Sequence, residues 1–324
     1  MIHRFSFSRA AALFCAAGLC SACSLPAAAD GDGEDPAAAA VAPPATAAAE
    51  PAAGSPIKVG IDSYVGVSNL EGSRRFSDGF WAGSAAAYPS LAYLRWDNGK
   101  GYAAKVSAGF GRMYTGPDSA LDQPIEAWWQ APAGRGGGRV TVGKFWVPFG
   151  IQEWQYETKP GVMLQWGAGG GDIAVSANYN RVTRTANAYL RVGKSFGEQA
   201  TVGVSLATGK GLSYDTDHDR AWALDGTFSW QGWSLGAEYD VLYAPGAKRF
   251  RFAYGKLSYE RLGPWKPFVA RYQWDDGAEQ MGRFRSTVYG LNFRATPQLS
   301  VEGAYAPTSD KNVSWLQLHW TWER

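Results

Sequence analysis

Cysteine and histidine are scarce in this chain of 324 residues. The three cysteines, Cys15, Cys20 and Cys23, all lie near the N-terminus, so the rest of the chain can form neither a disulfide nor a thiolate metal site. Of the histidines, His319 falls within an alternating segment and has no readable nucleophile beside it. We therefore expect no catalytic residue and no cofactor.

A carboxylate cluster at Asp215, Asp217 and Asp219 is a candidate metal site. Spaced carboxylates can hold Ca²⁺, but the EF-hand pattern fails here because Arg220 takes the glycine position and Gly226 that of the bidentate glutamate. A solvated loop explains the cluster better. We expect no bound metal.

Excess charge and long apolar runs are also missing. The chain has 31 Lys and Arg against 29 Asp and Glu, a balance that leaves no basic footprint for nucleic acid. From Ile57 onward no apolar run is long enough to cross a membrane as a helix. Aromatic residues make up 14% of the chain and there are 40 glycines, which is typical of a β-rich protein with many tight turns.

Residues 1–29 have the pattern of a secretory signal peptide. Arg4 and Arg9 precede a short apolar run, and Ala27, Ala28 and Ala29 offer a cleavage site before Asp30. Cleavage there would remove all three cysteines. An alternative interpretation is that Cys23 is lipidated, because residues 19–23 resemble a lipobox in which Cys20 occupies the position of the usual leucine.

Residues 30–56 are rich in alanine and proline and contain no aromatic residue. Such a segment cannot bury enough apolar area to offset its ordering entropy, so it is predicted to be a disordered leader.

Strict alternation of apolar and polar residues dominates residues 57–324. Between Ala200 and Leu206, for example, Val202 and Val204 share a face opposite Thr201 and Ser205. A soluble β-sandwich also alternates. The polar face here, however, carries charges and small residues as a wet lumen would, and the runs are about ten residues long, enough for a tilted strand to cross a bilayer.

Turn signals divide these residues into about sixteen strands, within a range of about 14–18, joined by alternating short and long connections. Asn98-Gly99 and Gln231-Gly232 are tight-hairpin pairs. An even strand number places both termini on the same side. The predicted fold is an all-β, transmembrane, antiparallel β-barrel preceded by a disordered leader, with tryptophans such as Trp230, Trp233 and Trp274 at the membrane interfaces.

The predicted strand registers place thirteen charged residues on the lumen face, where rings of charge set the selectivity of a pore. Their signs are mixed, so we expect either weak selectivity or ion pairs across the wall. These predicted pore-lining residues are Lys58, Asp62, Arg95, Lys105, Glu126, Arg191, Asp225, Glu238, Asp240, Arg271, Asp275, Arg294 and Glu302.

Two segments resemble outer-membrane barrels. The alternating strand that ends in Trp320 and Trp322 resembles their C-terminal targeting signal, although Glu323 and Arg324 follow it. Residues 142–150, Val-Gly-Lys-Phe-Trp-Val-Pro-Phe-Gly, resemble a strand-and-turn segment of the phosphate-selective type of porin. No Lys- or Arg-rich loop accompanies it, so phosphate selectivity does not carry over. We expect Pro148 to end a strand and residues 151–158 to fold into the mouth or to constrict it.

The resemblance implies an outer-membrane porin through which small hydrophilic solutes or ions diffuse passively. The partners it implies are outer-membrane lipid, the barrel-assembly machinery acting on the C-terminal strand, and further copies in a homotrimer. A non-conducting barrel that serves as a structural or adhesion anchor, or as a rim hydrolase, is the alternative.

Overall fold

The computed structural model describes most of the chain from Pro56 onward. The described residues are 56–69, 75–77, 79–80, 87–88, 90–110, 124–134, 136–151, 158–181, 183–212, 218–246, 249–275, 283–307 and 312–324. The predicted signal peptide, its cleavage site, Cys23, residues 30–55 of the leader, Asp215 and Asp217 lie outside them. The predictions made for those residues stay predictions.

Nineteen β-strands make up the secondary structure of the described residues. They are β1 Ile57–Ser68, β2 Arg75–Ser77, β3 Gly79–Phe80, β4 Ala87–Tyr88, β5 Ser90–Asp97, β6 Ala103–Phe110, β7 Glu126–Ala133, β8 Gly138–Trp146, β9 Thr158–Ala168, β10 Gly171–Asn180, β11 Thr185–Phe196, β12 Ala200–Thr208, β13 Arg220–Trp230, β14 Trp233–Tyr243, β15 Phe250–Tyr259, β16 Trp265–Asp275, β17 Arg283–Thr296, β18 Leu299–Ala306 and β19 Val313–Glu323. Among the described residues, no helix is long and apolar enough to span a membrane.

The main sheet closes on itself. Each strand from β5 to β19 pairs antiparallel with the next, and β1 pairs with β5 along one edge and with β19 along the other. The wall is thus a closed antiparallel barrel of sixteen strands, β1 and β5–β19, which confirms the predicted all-β barrel and its strand number. The short strand β2 extends the β1 edge, and β3 and β4 form a separate hairpin.

Connections on the side of the chain termini are short, and most connections on the other side are long. The β13–β14 turn contains only Gln231 and Gly232, both at positive φ of 50° and 89°, as a tight hairpin requires. On the far side, β12 and β13 are separated by residues 209–219 and β8 and β9 by residues 147–157. We refer to these two ends as the turn side and the loop side.

Alternation along each strand gives the barrel two different faces. On β12, Val202, Val204 and Leu206 are exposed, whereas the intervening Ser205 is fully buried. Residues in phase with the exposed apolar side chains form the outer face, and those out of phase form the inner face. Tryptophans 166, 230, 233 and 265 lie exposed on the outer face close to turn-side connections.

A large hydrophobic cluster lies inside the barrel. It joins inner-face residues of β11–β19 to the segment that follows β8, and its largest buried members include Phe149, Tyr189, Phe252 and Tyr272. Trp274, expected at a membrane interface, packs against this cluster and stacks on Phe284 with 4.0 Å between ring centroids. The belt prediction is therefore wrong for Trp274.

Candidate functional site: the inner wall of the barrel

Carboxylates of the strands are almost all on the inner face. The described strands contain ten, and by alternation nine of them point inward. These nine are Asp62, Asp97, Glu126, Asp172, Asp225, Glu238, Asp240, Glu302 and Glu323. A charge is costly on a face that contacts hydrocarbon but is tolerated where water or an ion partner is present.

One part of the inner wall keeps its charges accessible to water. We call the inner-face residues of β1, β5, β6 and β19 the open sector. Lys58 pairs with Glu323 at 2.7 Å between Nζ and Oε1, and these side chains are 53% and 37% exposed. The Tyr93 hydroxyl donates to Glu323 Oε2 at 2.9 Å. Arg95, in the same sector, pairs with Asp97 at 3.3 Å and is 47% exposed.

A histidine lies between acidic and aromatic groups farther along the open sector. His319 Nε2 is 2.7 Å from Asp62 Oδ1, and the ring stacks on Tyr64 with 4.1 Å between centroids. The Trp315 indole and the Gln317 amide donate to Glu302 Oε1 at 3.3 and 3.0 Å on the adjoining wall. These contacts fix the orientation of polar side chains that project into the barrel.

Lys105 and Glu126 form the most buried ion pair of this side of the barrel. Their Nζ and Oε2 atoms are 2.5 Å apart, and the side chain of Glu126 is 4% exposed. Ser107 and Trp128 also donate to Glu126, at 3.3 and 3.0 Å. Because the carboxylate accepts from three donors, its charge is compensated without bulk water.

The inner face of β10–β14, which we call the covered sector, has charges of a different kind. Arg191 bridges Asp172 and Asp225, at 3.3 and 2.6 Å. Asp225, Glu238 and Asp240 are buried, with residue exposures of 3%, 2% and 0%. Charges this deeply buried need a partner of opposite sign to offset their desolvation. They therefore stabilise the wall and have little effect on ions in the barrel.

The cover over this sector is a segment of the chain itself, residues 147–151, which we call the inner loop. Val147, Phe149 and Ile151 belong to the interior cluster, and Phe149 meets Tyr189 edge to face with 6.5 Å between centroids. The backbone N–H of Gly150 donates to Ser205 Oγ at 2.9 Å. Since Tyr189 and Ser205 are inner-face residues, the inner loop lies within the barrel and covers part of its wall.

Lys159 is a buried cation at the start of β9. It follows the first residue of β9, is 2% exposed, and donates through Nζ to Tyr189 Oη at 2.7 Å, to the Gly211 carbonyl at 3.0 Å and to Asn187 Oδ1 at 3.3 Å. The Asn180 amide also donates to Gly211 O, at 2.7 Å. One lysine thus connects β9, β11 and the β12–β13 loop.

Eleven of the thirteen predicted lumen charges lie on the inner face. Lys58, Asp62, Arg95 and Lys105 are in the open sector, Arg191, Asp225, Glu238 and Asp240 in the covered sector, and Glu126, Arg294 and Glu302 elsewhere on that face. Whether any of them lines a conducting path stays a prediction.

Arg271 and Asp275 are corrections. On β16 the buried residues are Phe268, Ala270 and Tyr272, which belong to the interior cluster, so Arg271 and Asp275 share the outer face with exposed Val269. The prediction placed these charges on the face opposite the aromatic residues, but here the aromatic side chains, Tyr272 among them, fill the barrel.

Residues 151–158 are expected to fold into the mouth or constrict it; 152–157 lie outside the described residues, so this stays a prediction. The contacts that hold the described part of the inner loop, those of Phe149 and Gly150, were not predicted from the sequence. A signal for them existed in the apolar Val-Pro-Phe-Gly-Ile run, which interrupts the alternation where a solvated loop would be polar. Among the described residues, no group of three or more His, Cys, Asp or Glu side chains could hold a metal ion.

Comparison with known proteins gives matches among solved structures alone. No family model and no curated protein matches the chain. The OmpT protein of Vibrio cholerae, an outer membrane protein in trimer form, matches with a TM-score of 0.58 and 12% identity over 82% of this chain and 99% of that one.

Two porins match to the same extent. The anion-selective porin of Comamonas acidovorans matches with a TM-score of 0.57 and 12% identity over 83% of this chain and 98% of that one. OmpF of Salmonella typhi, in complex with daunomycin, matches with a TM-score of 0.56 and 10% identity over 82% and 97%. The chain has the fold of an outer-membrane porin. At such low identity the porin likeness extends to the fold and to no particular solute.

Proposed function

We propose that this protein is an outer-membrane porin through which small hydrophilic solutes and ions diffuse passively. The observation that supports it most directly is the open sector, where Asp62 and His319, in the middle of β1 and β19, keep side-chain exposures of 29% and 20% inside a closed barrel. In a barrel filled throughout by side chains, inner-face charges would be as buried as Asp225 and Asp240 are. The path therefore runs along β1, β5, β6 and β19, opposite the inner loop.

Weak ion selectivity follows from the charges of this path. Lys58, Arg95 and Lys105 supply positive charge, and each has a carboxylate within 3.3 Å. Paired charges largely cancel their field beyond about one Debye length, roughly 10 Å at 0.1 M salt. Small solutes of either sign can then pass, and the width beside the inner loop decides which sizes do.

Conductance across a planar bilayer tests the proposal. We expect stepwise single-channel currents from the unmodified protein. Arg95→Glu reverses one exposed charge in the open sector and should shift the reversal potential in a salt gradient toward cation selectivity. Arg271→Glu makes the same charge change on the outer face and is the matched control, which should leave the reversal potential unchanged.

Three results would count against the proposal. An unmodified protein without conductance favours the non-conducting anchor or rim hydrolase. Equal shifts from Arg95→Glu and Arg271→Glu would mean that surface charge, not the open sector, sets the selectivity. Release of a hydrolysis product from lipid or peptide by the purified barrel would favour an enzyme. A homotrimer and recognition of β19 by the assembly machinery belong to the same proposal.

A further inference from the structure

Basic residues are concentrated on one part of the outer face. Among the described strands, Asp275 is the single carboxylate that points outward, because the other nine point inward. Four arginines surround it on β15–β17, namely Arg251, Arg271, Arg283 and Arg285. This group, which we call the arginine cluster, lies in the loop-side half of its strands, the half nearer the exterior in outer-membrane barrels, whose longer loops are external.

The strand registers bring the cluster together around a shallow groove. Asp275 is the register partner of Arg251 on one side and of Arg283 on the other, and Arg285 is the partner of Gln273. Arg283 donates to Asp275 Oδ2 through Nε and Nη2, at 3.2 and 3.0 Å. Tyr239, Ala253 and Gln273 also line the groove, whereas Arg271 lies outside it.

Asp275 does not compensate the charge of the whole cluster. Within the described part of the chain, the side chains of Arg251 and Arg285 make no ion pair or hydrogen bond, and both are exposed. Arg271 reaches only the Thr287 hydroxyl, at 3.4 Å. The groove thus offers several guanidinium donors, whose planar fork matches a phosphate oxygen pair.

The depth of the cluster on the wall suggests its environment. On β16 the outward residues run from Trp265 through Pro267 and Val269 to Arg271, Gln273 and Asp275. Apolar contact therefore gives way to charge in the loop-side half of the strand. Arginines near the edge of the hydrocarbon extend their apolar stems toward the headgroups, where they meet lipid phosphates.

A second copy of the chain fits this surface poorly. Its outer wall would have to bring carboxylates to the arginines, and the described strands have none on that face besides Asp275 itself. Two such clusters meeting face to face would repel each other. The charge pattern is complementary to a lipid phosphate instead.

The geometry points to a binding site for the phosphorylated headgroup of an outer-leaflet glycolipid on the arginine cluster of β15–β17. Arg251, Arg283 and Arg285 bind the phosphate across the groove, and the acyl chains lie on the apolar outer residues below, such as Val269 and Tyr289. This inference rests on the proposed outer-membrane location but not on conduction.

The test uses the full chain folded in detergent and titrated with a bis-phosphorylated, acylated glucosamine disaccharide, with binding read by native mass spectrometry. The triple variant Arg251→Gln, Arg283→Gln, Arg285→Gln should bind this glycolipid on the order of 100-fold more weakly, since each arginine near an anionic surface contributes roughly a factor of five. Heat-modifiable migration on gels verifies that the variant is folded.

A second triple variant is the matched control. Lys100→Gln, Lys194→Gln and Arg261→Gln remove the same charge from exposed turn-side positions, and this protein should bind the glycolipid like the parent. The dephosphorylated glycolipid should bind the parent weakly, and millimolar inorganic phosphate should not displace the phosphorylated one.

Each opposite result overturns the inference. Equal binding by the two triple variants would show that the cluster is not the site. Equal binding of the dephosphorylated glycolipid would leave only acyl contact, and displacement by inorganic phosphate would indicate a free-anion site. Dissociation of an oligomer in the Arg251, Arg283, Arg285 variant, without loss of glycolipid, would assign the surface to a second copy.

Discussion

Gly150 packs directly against the barrel wall. Its φ of +57° lies in the left-handed region, and a Cβ there would collide with the carboxylate of Glu238. A side chain at this position therefore meets two penalties, a backbone cost of roughly 1–2 kcal/mol and a steric conflict with a buried wall residue. The position of the inner loop therefore requires a residue without a Cβ at position 150.

We predict that Gly150→Ala displaces the inner loop and leaves the strands in place. The single-channel conductance should rise, because the Ser205 and Glu238 wall is no longer covered, while urea unfolding in lipid changes by no more than about 2 kcal/mol. Gly134→Ala is the control: its φ is +73°, but a Cβ there has no atom within 4 Å. A conductance equal to the parent in Gly150→Ala would show that the loop does not limit the path.

The face of an individual residue was predictable where the inner face is polar and not where it is aromatic. Val202, Val204 and Leu206 point outward as expected, because the opposite face of β12 carries small polar residues. On β16 the same rule fails for Arg271. Alternation reports which residues share a face, but the inner face of β16 carries Phe268 and Tyr272, so apolar character no longer identifies the lipid side.

At the scale of elements, β19 closes the barrel. Nine residue pairs join it to β1, from Gly60–Glu323 to Ser68–Trp315, and the Val59 and Arg324 backbones exchange two further hydrogen bonds of 2.9 and 3.0 Å. A β-strand without its partner exposes a row of unsatisfied N–H and C=O groups, which is not tolerated in a bilayer. The alternation of apolar and polar residues predicts that residues 313–323 form a strand. Its pairing with β1 follows from barrel closure, because the first and last strands of a closed barrel must be neighbours.

Deleting residues 320–324 should abolish assembly of the barrel. The deletion removes four of the nine pairs with β1, those of Trp320, Thr321, Trp322 and Glu323, so the seam opens at its turn-side end. We expect periplasmic aggregate and no heat-modifiable band in the outer-membrane fraction. Removing Arg324 alone retains all nine pairs and should assemble. Normal assembly of the longer deletion would contradict the role given to this seam.

For the molecule as a whole, the outer wall decides the environment that the barrel occupies. Its exposed residues include Ile173, Val192, Val204, Leu224 and Leu235, which lie on consecutive strands from β10 to β14. In water such a continuous apolar surface would drive aggregation, whereas in a bilayer it is matched to the hydrocarbon. The inward placement of nine strand carboxylates is the counterpart of this pattern, since it removes negative charge from the same surface.

A charge placed on this wall should cost free energy according to its depth. Val204 is the fifth of nine residues in β12, 48% exposed and flanked by Val192 and Leu224, so Val204→Arg puts a guanidinium near the middle of the apolar band. Urea unfolding in lipid vesicles should show a loss of about 2–4 kcal/mol.

Tyr179→Arg supplies the depth control, because Tyr179 is equally exposed, at 48%, but is the penultimate residue of β10 at the loop side. There the arginine reaches the headgroups, and the loss should be only about 0–1 kcal/mol. Equal and small losses for both variants would mean that Val204 faces water, and the outer-membrane placement would then fail together with the glycolipid site that depends on it.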